Sequence, residues 1–262
     1  MNKPTSPRPP EAIPQRRLCL AADLEQYSRL DTRTQSMVQS DLVRLLDEAA
    51  TLTGLDRTAW ARQPQGDQEF AVLPEATPEA AVLGPFVHHL AACLGARNTR
   101  PPTPRVRIRL AVDTGVATDA ALGHAGPAPV AVARYVNAPQ LKVVLSAIPA
   151  ADLAVIVSDR LYQDVVRSGH PGLDAAQYVR AHVRVKEFGG YGWILVPGHA
   201  PDQVRLSIED VHRPLPSPDA SVTSRTTLSQ HVRQGVAIGR DVSGGLNVGL
   251  PAPPTVAGPW RV

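Results

Sequence analysis

Leu18-Cys19-Leu20-Ala21-Ala22-Asp23-Leu24-Glu25-Gln26-Tyr27-Ser28 is the stretch on which the reading of the fold turns. Its first five residues form a short apolar run suited to a strand buried on both faces. Asp23 follows directly, so a carboxylate stands where that strand leaves the core. Downstream, Met37, Val38, Leu42, Leu45, Leu46 and Ala49 repeat at three and four residues, which predicts a long helix, and Asp31 or Thr32 can cap its entry. Thr58 to Gln63 and Glu69 to Leu73 flank Pro64-Gln65-Gly66-Asp67-Gln68 and read as a hairpin. A second helix is expected from Thr77-Pro78-Glu79 to Leu94, with Val82, Phe86, Leu90 and Cys93 on one face, a distortion at Pro85 and a stop at Gly95.

Val106 to Val112 alternates apolar and basic residues and runs into Asp113-Thr114-Gly115, which predicts a strand ending in a turn. A helix is expected after Gly123-His124-Ala125-Gly126, then a buried strand over Leu153 to Val157 and a short helix over Asp159 to Val166, capped by Ser158. Val183-Arg184-Val185 and Trp193-Ile194-Leu195-Val196 close the pattern as a hairpin around Gly189-Gly190. The order β-α-β-β-α-β with additions predicts an α/β (α+β) chain with a ferredoxin-like mixed sheet and helices on one face. The expected domain covers residues 17–197. Residues 1–16 carry five prolines, and 198–262 turn to Pro, Ser, Gly and Asp, so both are read as largely disordered tails. His231 to Arg240 is the exception, alternating like a short strand.

Composition narrows the function classes. Apolar residues make up 43% of the 262, yet no uninterrupted run approaches the roughly 18 to 20 residues of a membrane-spanning helix. The N-terminal residues hold no apolar segment of a secretory signal, and the cytoplasm is the expected compartment. All but Lys3, Lys142 and Lys186 of the 27 basic residues are arginine, and they are scattered among 24 acidic ones for a net charge of +3, which argues against nucleic acid as partner. Cys19 and Cys93 read as small buried hydrophobes and offer no zinc spacing. His88-His89 sits in no metalloprotease motif, and neither a G-x-G-x-x-G nor a Walker lysine is present.

Asp23 and Asp67 are the pair with chemical promise. In a ferredoxin-like sheet the first strand lies beside the hairpin strands, which can bring both carboxylates to one edge. Close carboxylates repel unless a cation sits between them, and hard oxygen ligands suit divalent ions. A plainer reading also stands: Asp23 caps the following segment and Asp67 is an ordinary turn residue.

The order of motifs carries a family resemblance over residues 17–197. Leu20-Ala21-Ala22-Asp23-Leu24-Glu25-Gln26-Tyr27-Ser28, Gln65-Gly66-Asp67, Arg109-Leu110-Ala111-Val112-Asp113-Thr114-Gly115 and Gly126 with Ala131-Val132-Ala133-Arg134-Tyr135 resemble, in order, four signatures of the class III nucleotide cyclase homology domain. These are its strand-end D-I-x-G-F-T, its G-D hairpin, its R-I-G-I-H-T-G strand and its G-x-x-V-N-x-A-x-R helix. Val183-Arg184-Val185-Lys186 is similar to the family's late V-x-L-K-G strand.

The resemblance implies that Asp23 and Asp67 hold two magnesium or manganese ions, which bind a nucleoside triphosphate and activate the ribose 3′-hydroxyl for in-line attack on the α-phosphorus. It implies that Arg134 stabilises charge on the transferring phosphorus, that Lys186 lies near the triphosphate, and that the backbone of Leu24, Glu25, Gln26, Tyr27 and Ser28 supplies N–H groups to the phosphates. It further implies a head-to-tail homodimer with pockets between the two copies. Departures accompany the matches. Val130 stands where the family has a ribose-orienting asparagine, Gly123 and Gln63 stand at the base-selecting positions, and Gln68 replaces a glycine. Two expectations follow: a pseudo-cyclase that binds nucleotide with weak or lost turnover and uses its tails toward a protein partner, or an active cyclase of altered base specificity.

Overall fold

The computed structural model describes residues 14–100 and 104–212. The expected N-terminal tail up to residue 13, most of the expected C-terminal tail and the alternating stretch His231 to Arg240 lie outside the described residues.

Strand β1, Gln15–Leu24, is buried from Leu18 onward, as its apolar run requires. Helix α1, Thr32–Thr53, follows, capped by Asp31, whose carboxylate accepts from Thr34 N at 2.9 Å. Strands β2, Ala61–Gln65, and β3, Gln68–Val72, form the expected hairpin with Gly66 and Asp67 at its tip. Helix α2, Glu79–Ala81, passes through a π-helical turn at Val82–Phe86 into α3, Val87–Asn98. Pro85 lies in that turn, where its missing N–H and its ring oppose regular α-helix. The helix runs through Gly95 rather than stopping there. Glu79–Asn98 is long and apolar enough by composition to cross a membrane, but Phe86, Leu90 and Leu94 are buried in the core against α1 and the sheet.

Strand β4, Ile108–Ala120, is the first correction. Asp113-Thr114-Gly115 is not a turn but mid-strand, because β4 pairs with the whole of β1, from Gln15↔Ala117 to Leu24↔Ile108. Tertiary pairing overrides the local turn composition. The short β5, Gly123–Ala125, folds back on β4, and α4, Pro127–Val136, starts after Gly126. Gly126 sits at φ 129°, and a Cβ there would lie 2.5 Å from the Val116 carbonyl oxygen, so glycine lets the helix begin hard against the sheet. Helix α5, Pro139–Ala147, strand β6, Leu153–Ser158, and helix α6, Asp159–Asp164, come next.

Strands β7, Val179–Val185, and β8, Phe188–Leu195, pair with Val185 opposite Phe188. The closing turn is therefore Lys186-Glu187, not Gly189-Gly190. Those glycines lie within β8, and at the nearby Gly192 a Cβ would stand 2.7 Å from Ile156 Cδ1, so this strand is glycine-rich for close packing. Helix α7, Pro201–His212, corrects the expected boundary at residue 197: Val204 and Ile208 are buried in the core that α5 also lines.

The sheet order is β2-β3-β1-β4-β6-β8-β7, antiparallel except for the β4–β6 pair. Leu18, Leu20, Ala22 and Leu24 join α1 and α3 in one core, the face expected for the βαββαβ unit. Cys19 and Ala21 join α4, α5 and α7 in a second core on the other face, a layer added by the later helices. Period-two alternation along β1 thus decides which side chains meet which helices.

Candidate functional site

The register of β1 and β3 places Asp23 opposite Gln68, and the N–H of Leu24 donates to the carbonyl of Asp67 at 3.0 Å. The two aspartates therefore emerge at the same end of the sheet, close enough that the charge of Asp67 acts on Asp23. Asp23 is buried, and its Oδ2 accepts from both Nε and Nη2 of Arg109 on β4, the Nε contact at 2.8 Å. Burial raises the Asp23 carboxyl above the usual range, with Arg109 pulling the other way and Asp67 adding to the rise. Lys142 on α5 adds a weaker attraction. Asp67 makes no side-chain hydrogen bond or ion pair among the described residues.

Asp23 and Asp67 are hard oxygen donors suited to magnesium or manganese. Among the described residues no group of three or more His, Cys, Asp and Glu side chains forms a ready-made cage. An ion here would take these two carboxylates and complete its shell with water and phosphate oxygens, as magnesium commonly does. Arg109 stands in its way on one oxygen of Asp23.

The segment after β1 is tied down on both sides. Glu25 N donates to the carbonyl of Arg107 at 2.9 Å, and the Glu25 carboxylate pairs with the Arg107 guanidinium at 2.6 Å. The N–H groups of Leu24 and Glu25 are thus already used, and those of Gln26, Tyr27 and Ser28, at the start of a one-turn 3-10 helix, are the members of the expected phosphate-facing set with no such bond. Gln39 on α1 donates to the Tyr27 hydroxyl at 2.8 Å and to the Gly66 carbonyl at 2.9 Å, bracing this segment against the hairpin tip.

Arg134 and Lys186 form a second group. Arg134, in the last turn of α4, donates through Nη2 to Glu187 Oε1 at 3.0 Å, and Glu187 is the neighbour of Lys186 in the β7–β8 turn. Among the described residues no hydrogen bond or ion pair links Arg134 or Lys186 to Asp23 or Asp67. Instead Arg134 lines a pocket of about 310 Å³ with Gln63, Gln65, Gln68, Phe70, Val130 and other residues. Gln63 Nε2 donates to the carbonyl of Leu122 at 3.3 Å, and a Cβ on Gly123 would lie 1.2 Å from that nitrogen. The two base-selecting positions of the resemblance therefore converge, and the Gln63 amide fills the space that a side chain at 123 would take. Val130 presents a methyl surface to the pocket and is about half-exposed.

Gln26 at φ 57° and Lys186 at φ 54° are the non-glycine residues with left-handed backbone among those described. Such strain costs energy and concentrates where function holds it in place. One falls in each group. Sequence reasoning missed Arg109, Gln39, Lys142 and Glu187. Glu187 had a visible signal, since it stands where the resembled V-x-L-K-G strand has glycine.

No protein-family model matches the sequence, and no curated protein does. Among solved structures, the chain is similar to an adenylate/guanylate cyclase/hydrolase from Silicibacter pomeroyi, at 20% identity over 71% of this chain and 99% of that one, with a TM-score of 0.52. It is similar to a bacterial light-regulated adenylyl cyclase at 11% identity, over 76% of this chain and 58% of that one, with a TM-score of 0.51. The guanylyl cyclase Cya2 gives 12% identity, 71% and 95% coverage and a TM-score of 0.50. At such identities the likeness speaks to architecture, and the architecture is clear: this chain folds as the catalytic domains of class III adenylate/guanylate cyclases do.

Proposed function

We propose that the chain is a divergent cyclase-like domain that binds a nucleoside triphosphate with magnesium or manganese in a cleft between two copies, with weak or lost cyclase turnover and a regulatory role in the cytoplasm. The observation that carries this reading is the division of the site residues. Asp23 and Asp67 meet at one sheet end with the Gln26–Ser28 backbone, while Arg134 pairs with Glu187 beside Lys186, lines a pocket with Gln63, and has no hydrogen bond or ion pair to either aspartate among the described residues. Two half-sites on one chain call for a second copy to complete each. Exposed apolar side chains on and around α4 favour such a contact: Val116, Leu122, Val130 and Tyr191.

In this arrangement a bound divalent ion neutralises triphosphate charge. The chain's own residues do the rest. Asp23 and Asp67 hold the ion, the N–H groups of Gln26 to Ser28 receive phosphate oxygens, and the Arg134 guanidinium meets phosphate charge from the opposing copy. Val130 has no group to orient a ribose hydroxyl, and loss of one orienting group costs a factor of about 10² or more in rate. The pairing of Asp23 with Arg109 and of Arg134 with Glu187 weakens both poles of the cleft further.

The alternative, an active cyclase of altered base specificity, is favoured by the retained adjacency of Asp23 and Asp67 and by the opening of Arg134 onto a pocket. Incubation with each of the four ribonucleoside triphosphates and manganese, followed by mass spectrometry, separates the two. Triphosphate binding without a cyclic product supports the pseudo-cyclase. A monomer by light scattering at tens of micromolar, together with no binding, overturns both.

A further inference from the structure

The acidic turn residue beside Lys186 is the ion-pair partner of Arg134. Glu187 is largely exposed, sits at the tip of the β7–β8 hairpin after a left-handed Lys186, and places Oε1 3.0 Å from Arg134 Nη2. The Arg134 side chain is three-quarters buried, and its Nε is buried without a hydrogen-bond partner among the described residues. The guanidinium therefore has one carboxylate for company and faces a pocket lined otherwise by glutamine amides, the His124 imidazole and apolar groups. A carboxylate and a phosphate oxygen present the same chemistry to a guanidinium: a charged acceptor in the plane of its N–H groups.

We infer that Glu187 is a built-in competitor of phosphate at Arg134, so that this contact holds the site in a self-inhibited state and weakens every phosphate ligand that must displace it. The inference rests on the nucleotide reading above and adds an autoinhibitory contact to it. Because the carboxylate is tethered to the same chain, it competes at a high effective concentration whatever the ligand level. A phosphate oxygen that reaches Arg134 must displace the Glu187 carboxylate first. The pair is solvent-exposed on the Glu187 side, which sets its scale: removing the carboxylate is expected to tighten triphosphate binding by about two- to fivefold, the range of exposed ion pairs.

The test uses the full chain, with inorganic tripolyphosphate plus manganese as calorimetric probe, the four nucleoside triphosphates as a parallel set, and phenylglyoxal modification of Arg134 followed by peptide mass spectrometry. Glu187→Gln is expected to bind tripolyphosphate about two- to fivefold tighter and to expose Arg134 to faster modification. Arg134→Gln in the Glu187→Gln background is expected to erase the gain in binding. Asp202→Asn, which removes another highly exposed carboxylate on α7, controls for net charge and is expected to change neither readout. Unchanged or weaker binding by Glu187→Gln, in a wild type that does bind, overturns the inference and leaves the nucleotide reading standing. A gain that survives Arg134→Gln, or that Asp202→Asn reproduces, overturns it as well. If neither tripolyphosphate nor any nucleotide binds to wild type or variant, the nucleotide reading itself has failed and the inference falls with it, even where Arg134 modification accelerates.

Discussion

Two buried carboxylate–arginine pairs lie on opposite faces of the same sheet, one register step apart, and they differ in kind. Glu69, opposite Ala22, points into the α1/α3 face and is held by Arg57 Nη2 at 2.9 Å, with Asp47 Oδ1 3.1 Å from Arg57 Nε. Asp23, opposite Gln68, points to the α4/α5 face and is held by Arg109. Glu69 and Arg57 have side chains only 6% and 4% exposed, and Glu69 Oε1 and Arg57 Nη1 find no hydrogen-bond partner among the described residues. Arg57 also stacks over Trp60 at 5.6 Å, so its surroundings are those of a core. Asp23 instead sits next to the end of strand β1 with Asp67 and Lys142 in electrostatic reach. Burial of charge does not by itself mark a site. What distinguishes Asp23 is its place at a strand end where other charges gather and solvent begins.

The sharpest way to break the comparison is to remove one member of each pair. Glu69→Ala leaves the Arg57 charge buried and is expected to cost about 3–5 kcal/mol in urea unfolding. Replacing both members with apolar residues, Arg57→Met with Glu69→Leu, is expected to restore most of that loss. A cost for Glu69→Ala under about 1 kcal/mol would mean that water reaches the pair and that it is no drier than a surface ion pair.

Asp23→Asn comes next in size. An amide keeps the shape and one acceptor for Arg109, so the expected cost is about 1–3 kcal/mol. The pairs then part company on ligand. Manganese with a nucleoside triphosphate is expected to raise the melting temperature of wild type, and Asp23→Asn to remove that rise, whereas the Arg57→Met, Glu69→Leu chain keeps it. Equal responses from both variants would place the metal response elsewhere.

Acid sharpens the contrast. Burial raises the carboxyls of both Asp23 and Glu69 despite their arginines. A folded-state pKa above the unfolded value means that the native state binds the proton more tightly, so these groups favour folding most below the unfolded pKa of about 4 and least above the raised one. Stability from these two groups is therefore expected to rise as pH falls through the raised folded-state pKa toward the unfolded one, and Asp23→Asn to flatten its share. The manganese response runs the other way, because a protonated Asp23 is a poor ligand. Melting curves across a pH series from neutral to mildly acidic, with and without manganese and triphosphate, read the two trends separately.

The sequence carries some of this plainly. The apolar run of β1, the three-and-four repeat of α1 and the Gly66-Asp67 turn are local signals, and local signals fix their own elements. Other features depend on partners far along the chain. Asp113-Thr114-Gly115 has turn composition, yet its pairing with Arg17 to Cys19 keeps it extended. Gly189-Gly190 looks like a turn, yet the turn falls at Lys186-Glu187 because β8 needs its glycines for packing. Among the described residues α7 buries Val204, Ser207 and Ile208, too thin an apolar pattern among polar residues to separate a helix from a tail. The Arg109 clamp on Asp23 is a cross-strand contact over 86 residues of chain, and no spacing rule predicts it.

Asp67→Asn is the smallest expected change and the one that separates a ligand from a structural residue most cleanly. Asp67 holds its place through the backbone, its carbonyl accepting from Leu24 N, and that bond survives the substitution. Its side chain has no partner to lose among the described residues, and its charge raises the cost of ionising Asp23. Removing that charge is expected to leave the apo protein within about 0.5 kcal/mol of wild type, on the stabilised side above neutral pH, where Asp23 is most fully ionised. The same substitution takes away one of two hard ligands, so most of the rise in melting temperature produced by manganese and triphosphate is expected to vanish. An apo loss well beyond 0.5 kcal/mol would make Asp67 a structural turn residue. An unchanged metal response would leave Asp23 as the site's sole ligand, and the contrast with Glu69 would then rest on position alone.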